Sequence, residues 1–143
     1  MEISELQSRY DCALLALVLW REARGEPVEA KRAVAWVIRN RVLRPSWWGK
    51  TWSEVITKRW QFTSMTGRGD ANLLKWPDER DTAWQACLEV AAAVQVGQGT
   101  DPTQGATHYF DRSLDATPPA WAGDAAMQHV TDIGAFHFYR QGS

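Results

Sequence analysis

Two carboxylates that lie four residues apart, Glu22 and Glu26, are the first candidates for catalysis in this chain. A helical pattern precedes them, so Glu22 is expected in the last turn of a helix. The partial negative charge of the helix end and the like-charged neighbour both disfavour ionisation there. A carboxyl with a raised pKa can act as a general acid, provided that Arg21 and Arg24 point elsewhere. The alternative is that both carboxylates are solvated and pair with Arg21, Arg24 or Lys31.

Two helices must meet at these carboxylates. Ser4 followed by Gln7 is a capping-box pattern, and apolar residues then repeat at helical spacing. The pattern predicts a first helix from about Ser4 to Arg24. A second helix is predicted to open at Pro27 and to end before Pro45, so the two form a hairpin with a very short joint.

The rest of the chain predicts two further helices and then short strands. Thr51 and Glu54 form another capping box, which predicts a short helix to about Lys58. The stretch 59–76 is irregular and long, which favours a functional or a disordered loop. A fourth helix is predicted over about 77–97. Two or three short strands are expected at 107–110, 128–131 and 136–139.

Length and charge restrict the class of protein. The 143 residues fit one domain, with a helical body over about 4–97 and a segment rich in strands and loops over about 98–143. This is an α+β arrangement, predominantly helical, of the kind that frames a cleft. Because 16 Lys and Arg residues balance 17 Asp and Glu residues, binding to nucleic acid or anionic lipid through general charge is not expected. We expect a monomer.

The hydrophobic pattern does not predict insertion into a membrane. The longest apolar run, Cys12–Trp20, is too short to span a bilayer. The chain begins with acidic residues where a secretory signal needs basic ones, so we expect synthesis in the bacterial cytoplasm. Cys12 and Cys87 lie at apolar helical positions and are expected to be reduced core residues.

Several motifs occur in the order that is typical of one family. The chain contains, in this order, Glu22–Pro27, Ala33–Val42, Gln61–Thr63, Asp101–Phe110, Ile133–Gly134 and Phe138–Arg140. Together they resemble the cell wall hydrolases of the SleB type, which include spore-cortex-lytic enzymes and related phage endolysins. The likeness covers most of the chain. The family more often has Ser where this chain has Thr63, and it usually has His where this chain has Phe136, with His137 one step later.

The resemblance implies a lysozyme-like fold that cleaves the glycan strand of peptidoglycan, with Glu22 as the catalytic acid. No cofactor and no metal are expected. The missing export signal favours a phage endolysin that accumulates in the cytoplasm and reaches the wall when a holin opens the membrane. A bacterial enzyme exported by another route is the alternative.

A second carboxylate would distinguish two reactions. Ordinary glycosidases need one as nucleophile or base, whereas in a lytic transglycosylase the 6-hydroxyl of muramic acid attacks and one Glu is acid and then base. Glu26 is expected to start the second helix or to pair with a base, and Asp101 to form an Asx turn before Pro102. Asp70 is the best candidate for a second carboxylate. Because Glu22 has no clear partner, the sequence favours a transglycosylase over a muramidase-type hydrolase.

Sugar contacts are expected from rings and neutral polar groups. The amide of Gln61 can both donate and accept hydrogen bonds. In the predicted cleft-edge strand, the backbone of Ala106 and Thr107 would hold an N-acetyl group, and Tyr109 would offer a ring and a hydroxyl. The residues assigned to substrate binding are Gln61, Phe62, Thr63, Ala106, Thr107, His108, Tyr109 and Tyr139.

Tryptophan is abundant, with 9 residues against 4 Phe and 3 Tyr, which suits a sugar-binding cleft. Trp47 and Trp48 are the best candidates for exposed stacking platforms, although they could equally hold a loop. Trp36 lies among apolar residues of the second helix and is expected in the core.

Two other functions compete with this interpretation. His108, His129 and His137 fall in the strand-rich part, and three imidazoles are a common catalytic zinc set. No two of them have the short spacing of zinc ligands, which argues against a zinc enzyme. The other competitor is a non-catalytic glycan-binding module in which Trp residues bind and Glu22 only caps a helix.

Overall fold

The computed structural model describes residues 2–142, and its first element is the helix α1, Ile3–Ala23. Glu2 occupies the N-cap position without a side-chain hydrogen bond, so the capping box expected at Ser4 does not form. Residues 3–10 are exposed, whereas the run from Leu15 to Trp20 is buried without interruption. A helix that is apolar on all sides must be surrounded by other elements, and the second half of α1 is therefore the centre of the fold.

The second helix, α2 (Val28–Leu43), follows after a very short joint, as predicted. The buried Lys31 holds this joint, because its ammonium group donates to the backbone carbonyl oxygens of Arg24 and Glu26. These oxygens lie just past the end of α1, where a helix leaves carbonyl groups unpaired and favours a cation. Lys31 thus binds backbone, not the carboxylate of Glu22.

The remaining helices differ from the prediction in extent. In α3 (Trp52–Ile56) the Thr51 hydroxyl accepts from the Glu54 amide, as its capping box predicts. A single helical turn, α4 (Thr63–Thr66), interrupts the stretch that was expected to be irregular. The last helix, α5 (Thr82–Gln95), begins later than expected, because the Asp81 carboxylate caps it by accepting from the amide of Ala83.

Three strands form an antiparallel sheet in the order β1-β3-β2: β1 is His108–Asp111, β2 is Met127–Ile133 and β3 is Phe136–Gln141. Phe136 and Phe138 of β3 are buried, while His137 and Tyr139, which alternate with them, are only partly buried. Side chains alternate between the two faces of a strand, so β3 presents an apolar face to the helices and a polar face away from them.

The hydrophobic core joins α1, α2, α3, α5 and the sheet. Trp36 is buried, which confirms that it belongs to the core. Trp48 is also buried and is therefore not a stacking platform, whereas Trp47 is 53% exposed. Both cysteines are free, Cys87 buried and Cys12 half-buried, in agreement with the expectation that they are reduced. Among residues 2–142, no helix combines the length and the apolar character that crossing a membrane requires.

A buried polar contact connects α2 to the segment that leads into β1. The Asn40 amide nitrogen donates to the Asp101 carboxylate at 2.8 Å and to the Ala106 carbonyl oxygen at 2.9 Å. Asp101 in turn accepts from the amides of Thr103 and Gly105, which confirms the Asx turn expected there. The side chain of Asn40 is therefore what fixes the start of β1 against the helix.

The first testable prediction concerns this contact. Asn40→Ala should lower the free energy of unfolding by about 1–3 kcal/mol, because it leaves the buried Ala106 carbonyl without its donor. Urea titration followed by circular dichroism measures the loss. Gln85→Ala, which removes an amide from an exposed position of α5, is the matched control and should change stability by less than about 0.5 kcal/mol. Equal effects of the two variants would contradict the assigned role of Asn40.

Candidate active site

Glu22 lies in the last turn of α1, as predicted, and its side chain lines a cleft of about 480 Å³. Aromatic residues make up much of the lining, and it also includes the charged side chains of Arg41 and Asp111. The cleft is bordered by α1 and α2 on one side and by the sheet on the other. The end of the central helix is thus placed at the boundary between the helical part and the β part of the molecule.

The Glu22 carboxyl is partly buried, and its polar neighbours within the described residues are hydroxyl groups, not cations. The Tyr109 hydroxyl donates to its Oε1 at 3.1 Å, and the buried Ser64 hydroxyl lies beside it without completing a hydrogen bond. Burial raises the pKa of Glu22 and outweighs these two hydroxyls, which lower it, while the negative charge of Asp70 raises it further. The pKa of Glu22 is therefore raised, as the sequence predicted, but the causes are burial and the charge of Asp70, whereas the sequence pattern indicated the helix end and Glu26.

The two arginines next to Glu22 are both occupied elsewhere. Arg21 is buried and donates to the backbone carbonyls of Ser64 and Lys75, at 3.1 Å each. Arg24 donates to the carbonyl of Trp20 and, at 2.9 Å, to the side-chain oxygen of Asn72. No ion pair within residues 2–142 involves Glu22. The alternative that Glu22 is neutralised by its neighbouring arginines is thereby excluded.

An aromatic wall holds Tyr109 in position to donate to Glu22. Its ring centroid lies 5.1 Å from that of Phe136, 5.8 Å from that of Phe138 and 6.5 Å from that of Phe62. Burial and the Glu22 charge raise the pKa of Tyr109 well above its usual range. The phenol therefore stays protonated and remains a donor throughout the neutral pH range.

Arg41 is a site residue that the sequence interpretation did not identify. It is buried in α2, donates to the Thr107 carbonyl at 2.7 Å and to Oε1 of Gln61 at 3.0 Å, and lies over the rings of Trp47 and Trp48. Burial lowers the pKa of Arg41 to about 10, so it stays charged at neutral pH. Its position on the apolar stripe of α2 was the signal that could have revealed it, because a cation on a buried face needs specific acceptors.

Four of the predicted binding residues line the cleft: Gln61, Phe62, His108 and Tyr109. The imidazole of His108 lies between Trp121 and Trp48, at centroid distances of 4.9 and 6.0 Å. Burial and the charge of Arg41 lower the pKa of His108 to about 4, so this ring is neutral at neutral pH. A neutral imidazole among rings can pair with sugar hydroxyls.

The structure places Ala106, Thr107 and Tyr139 differently from the prediction. The Ala106 carbonyl is bound by Asn40 and the Thr107 carbonyl by Arg41, while the Thr107 amide donates to the carbonyl of Tyr139. These backbone groups are therefore not free to hold an N-acetyl group. Tyr139 lines a different cavity, because it lies on the polar face of β3.

Thr63 and Asp70 lie together beside the cleft. The Thr63 hydroxyl donates to the Asp70 carboxylate at 2.7 Å, and both line a neighbouring cavity of about 490 Å³. Trp60, which is 72% exposed, lines both spaces and joins them. Hydrogen bonds from Thr63 and from the amide of Asn72 lower the pKa of Asp70, so it is ionised at neutral pH.

Glu26, the other candidate for a second carboxylate, supports the fold. Its Oε1 accepts from the amide of Ala135 at 2.8 Å, in the turn between β2 and β3. Gly134 has a φ of 58° there, and a Cβ at this position would approach Glu26 Oε1 to 2.6 Å. Glu26 is absent from the described lining of the cleft. Its carboxylate binds the sheet to the start of α2.

Comparison with known proteins gives a consistent result. Residues 25–139 match the family model described as Cell Wall Hydrolase. The chain is 33% identical over 114 residues to the spore cortex-lytic enzyme of Bacillus subtilis (strain 168), and the match covers 80% of this chain and 33% of that protein. It is 35% identical over 112 residues to the spore cortex-lytic enzyme of Halalkalibacterium halodurans, covering 78% of this chain and 30% of that protein. The chain spans about a third of the length of these relatives.

Solved structures show the same similarity. The catalytic domain of the Bacillus cereus SleB protein superimposes with a TM-score of 0.65 at 32% identity, covering 92% of this chain and 91% of that one. The catalytic domain of SleB from Bacillus anthracis, described as a germination-specific lytic transglycosylase, gives 0.65 at 30% identity, with 91% and 93% covered. These domains are lysozyme-like, which confirms the predicted α+β, predominantly helical fold class. The family model and these relatives agree, and the chain belongs to the cell wall hydrolase family.

Proposed function

We propose that this chain cleaves the glycosidic bond between N-acetylmuramic acid and N-acetylglucosamine in peptidoglycan, with Glu22 as the only carboxyl that takes part. The proposal rests on the surroundings of the Glu22 carboxyl. The Glu22 carboxyl faces an aromatic cleft, is free of cations, accepts a hydrogen bond from Tyr109 and has a raised pKa. These are the properties that a general acid for glycoside cleavage needs.

The cleft offers suitable contacts for a polysaccharide. Trp47 and Trp60 are exposed rings at its border, and sugar faces stack on such rings. Arg41 binds the side-chain oxygen of Gln61, which orients the Gln61 amide in the cleft. His108 is a neutral polar group in the same space. Rings and neutral donors are a suitable lining for an uncharged glycan backbone.

The surroundings of Glu22 favour a lytic transglycosylase over a hydrolase. Within the described residues, Asp111 is the only other carboxylate that lines the cleft, and its Oδ1 already accepts from the amide of Ser113. Asp70 lies in the neighbouring cavity, and Glu26 binds the sheet. In the proposed reaction Glu22 first protonates the leaving glycosidic oxygen. The resulting carboxylate then takes the proton of the muramic 6-hydroxyl as that oxygen bonds to the anomeric carbon, which gives a 1,6-anhydro ring.

The second testable prediction concerns Glu22→Gln. It should reduce the rate of peptidoglycan solubilisation by at least about 100-fold, because a Gln amide cannot deliver the proton. Binding to insoluble peptidoglycan in a pelleting assay should persist. In the wild type, kcat/KM should fall as pH rises through the raised pKa of Glu22, because only the protonated form acts as the acid.

Glu29→Gln, which removes an exposed carboxylate from the first turn of α2, is the matched control and should keep its activity. Thermal unfolding of Glu22→Gln shows whether a loss of activity reflects the missing acid or an unfolded chain. Since the folded-state pKa of Glu22 is raised, the wild type loses stability as pH rises through that pKa. Glu22→Gln should therefore have the higher Tm at neutral pH, and the difference should shrink towards acid pH. Full activity of Glu22→Gln would refute the enzyme proposal and favour a glycan-binding module.

The third prediction separates the two reactions. Mass spectrometry of the digested glycan should find 1,6-anhydromuramic ends, and Asp70→Asn should retain most of the activity. Because the Asp70 charge raises the pKa of Glu22, this variant should also move the alkaline limb of the pH profile to lower pH. Reducing ends together with an inactive Asp70→Asn would instead support a muramidase in which Asp70 is the second carboxylate.

The role as a phage endolysin stays a prediction from the sequence, and it makes the fourth test. With the chain produced in the cytoplasm of a bacterial host, the culture should lyse only when a holin is produced as well. The Glu22→Gln variant with the same holin is the control and should leave the cells unlysed. Lysis without a holin, or intact cells with one, would contradict this role.

A further inference from the structure

The polar face of the β2–β3 hairpin carries a cluster of two imidazoles and a carboxylate that the proposed reaction does not use. Nε2 of His129 lies 2.6 Å from Oδ1 of Asp132, and Nδ1 of His137 lies 2.7 Å from the same oxygen. One ligand atom from each residue falls within 4.8 Å of the other two. Three metal-binding groups therefore converge on one point.

A β-bulge creates this convergence. Residues three apart in a regular strand point to opposite faces, and His129 and Asp132 are three apart in β2. The pairing of β2 with β3 shifts register between His129 and Thr131, so that His129 pairs with Tyr139 and Asp132 pairs with His137. Bulges of this kind re-aim side chains at functional sites. Without the shift, His129 and Asp132 would lie on different faces of the sheet.

A second carboxylate orients one of the imidazoles. Nε2 of His137 lies 2.8 Å from Oδ1 of Asp115, which belongs to the segment between β1 and β2. With Nε2 carrying the proton, the lone pair of Nδ1 points to the cluster. An imidazole that donates to a carboxylate through one nitrogen and binds a metal through the other is the usual arrangement in zinc sites.

We propose that His129, Asp132 and His137 bind one Zn²⁺ ion, through Nε2, a carboxylate oxygen and Nδ1. Two imidazoles with a carboxylate suit Zn²⁺ better than Ca²⁺ or Mg²⁺, which prefer oxygen ligands. Tetrahedral zinc separates its ligand atoms by ~3.3 Å, so the contacts of 2.6 and 2.7 Å to Asp132 would lengthen by about 0.6–0.7 Å on zinc binding. The side chains are 47%, 45% and 18% exposed in that order, which leaves the fourth position to water.

This set differs from the three histidines considered as a zinc site from the sequence. His108 lies in the cleft, whereas His129 and His137 line a separate cavity of about 430 Å³. Phe110 lines both spaces and separates the cluster from the cleft. The ion would therefore have a structural role. Because His137 also contacts Asp115, the ion would connect the β2–β3 hairpin to the segment between β1 and β2, and Trp121 of that segment lines the cleft.

The test uses the full chain without a histidine tag, after removal of metals with EDTA and dialysis. Isothermal titration with ZnCl₂ should show one ion per chain, and zinc at about 100 times its dissociation constant should raise the Tm by roughly 5–10 °C. Co²⁺ should give the visible absorption of a tetrahedral site without the near-ultraviolet thiolate band. That spectrum excludes Cys12 and Cys87 as ligands without any substitution. Ca²⁺ and Mg²⁺ should not shift the Tm.

Matched variants locate the site. His129→Ala and Asp132→Asn should each abolish the zinc-dependent rise in Tm, whereas Glu89→Gln, which removes an exposed carboxylate from α5, should keep it. The proposal is overturned if the wild type binds no zinc, or if the binding survives both substitutions. It is also overturned if His137→Ala lowers the Tm equally in EDTA and in zinc, since the cluster would then be an ion-pair network only. All readouts are of binding, so they do not depend on the proposed reaction.

Discussion

The arrangement depends on one carboxyl that is kept partly buried without a cation beside it. Withdrawing Glu22 from water disfavours its charged form, and the hydroxyls of Tyr109 and Ser64 offset that cost only in part. Because this hydrogen bond runs from β1 to the end of α1, the helical part and the sheet meet at the reactive atom. Any change in how the sheet packs against the helices therefore changes both the position and the acidity of Glu22.

Three buried cations keep the irregular segments in place around that carboxyl. Arg21 binds carbonyls of the stretch that contains α4, Lys31 binds those at the joint after α1, and Arg41 binds the carbonyl of Thr107 and the side chain of Gln61. Backbone carbonyls removed from water need donors, and a long cationic side chain supplies several from one position. The helices thus fix the lining of the cleft by binding loop backbone, which also keeps these cations away from Glu22.

Local signals in the sequence determined the elements and the candidate acid. Helical periodicity placed Glu22 at the end of α1, and the cap at Thr51 and the Asx turn at Asp101 were found where the residue types predict them. The three strands follow from runs of β-forming residues between turn residues. These features depend on neighbours within a few residues, which is why periodicity and capping rules predict them. The same rules placed the start of α1 at Ser4, and the helix begins at Ile3 without a side-chain cap.

Only the tertiary structure decided which groups meet. Arg41 and Gln61 are 20 residues apart, and Tyr109 and Glu22 are 87 apart, so no local pattern pairs them. The resemblance predicted that the Thr107 backbone binds an N-acetyl group of the substrate, whereas in the folded chain it is bound by Arg41 and by the carbonyl of Tyr139. The face to which Tyr139 points depends on strand register, and the bulge in β2 is a property of the pairing with β3. Residue types and spacing thus specified what this chain can do chemically, whereas the packing of distant segments specified which of those groups share a site.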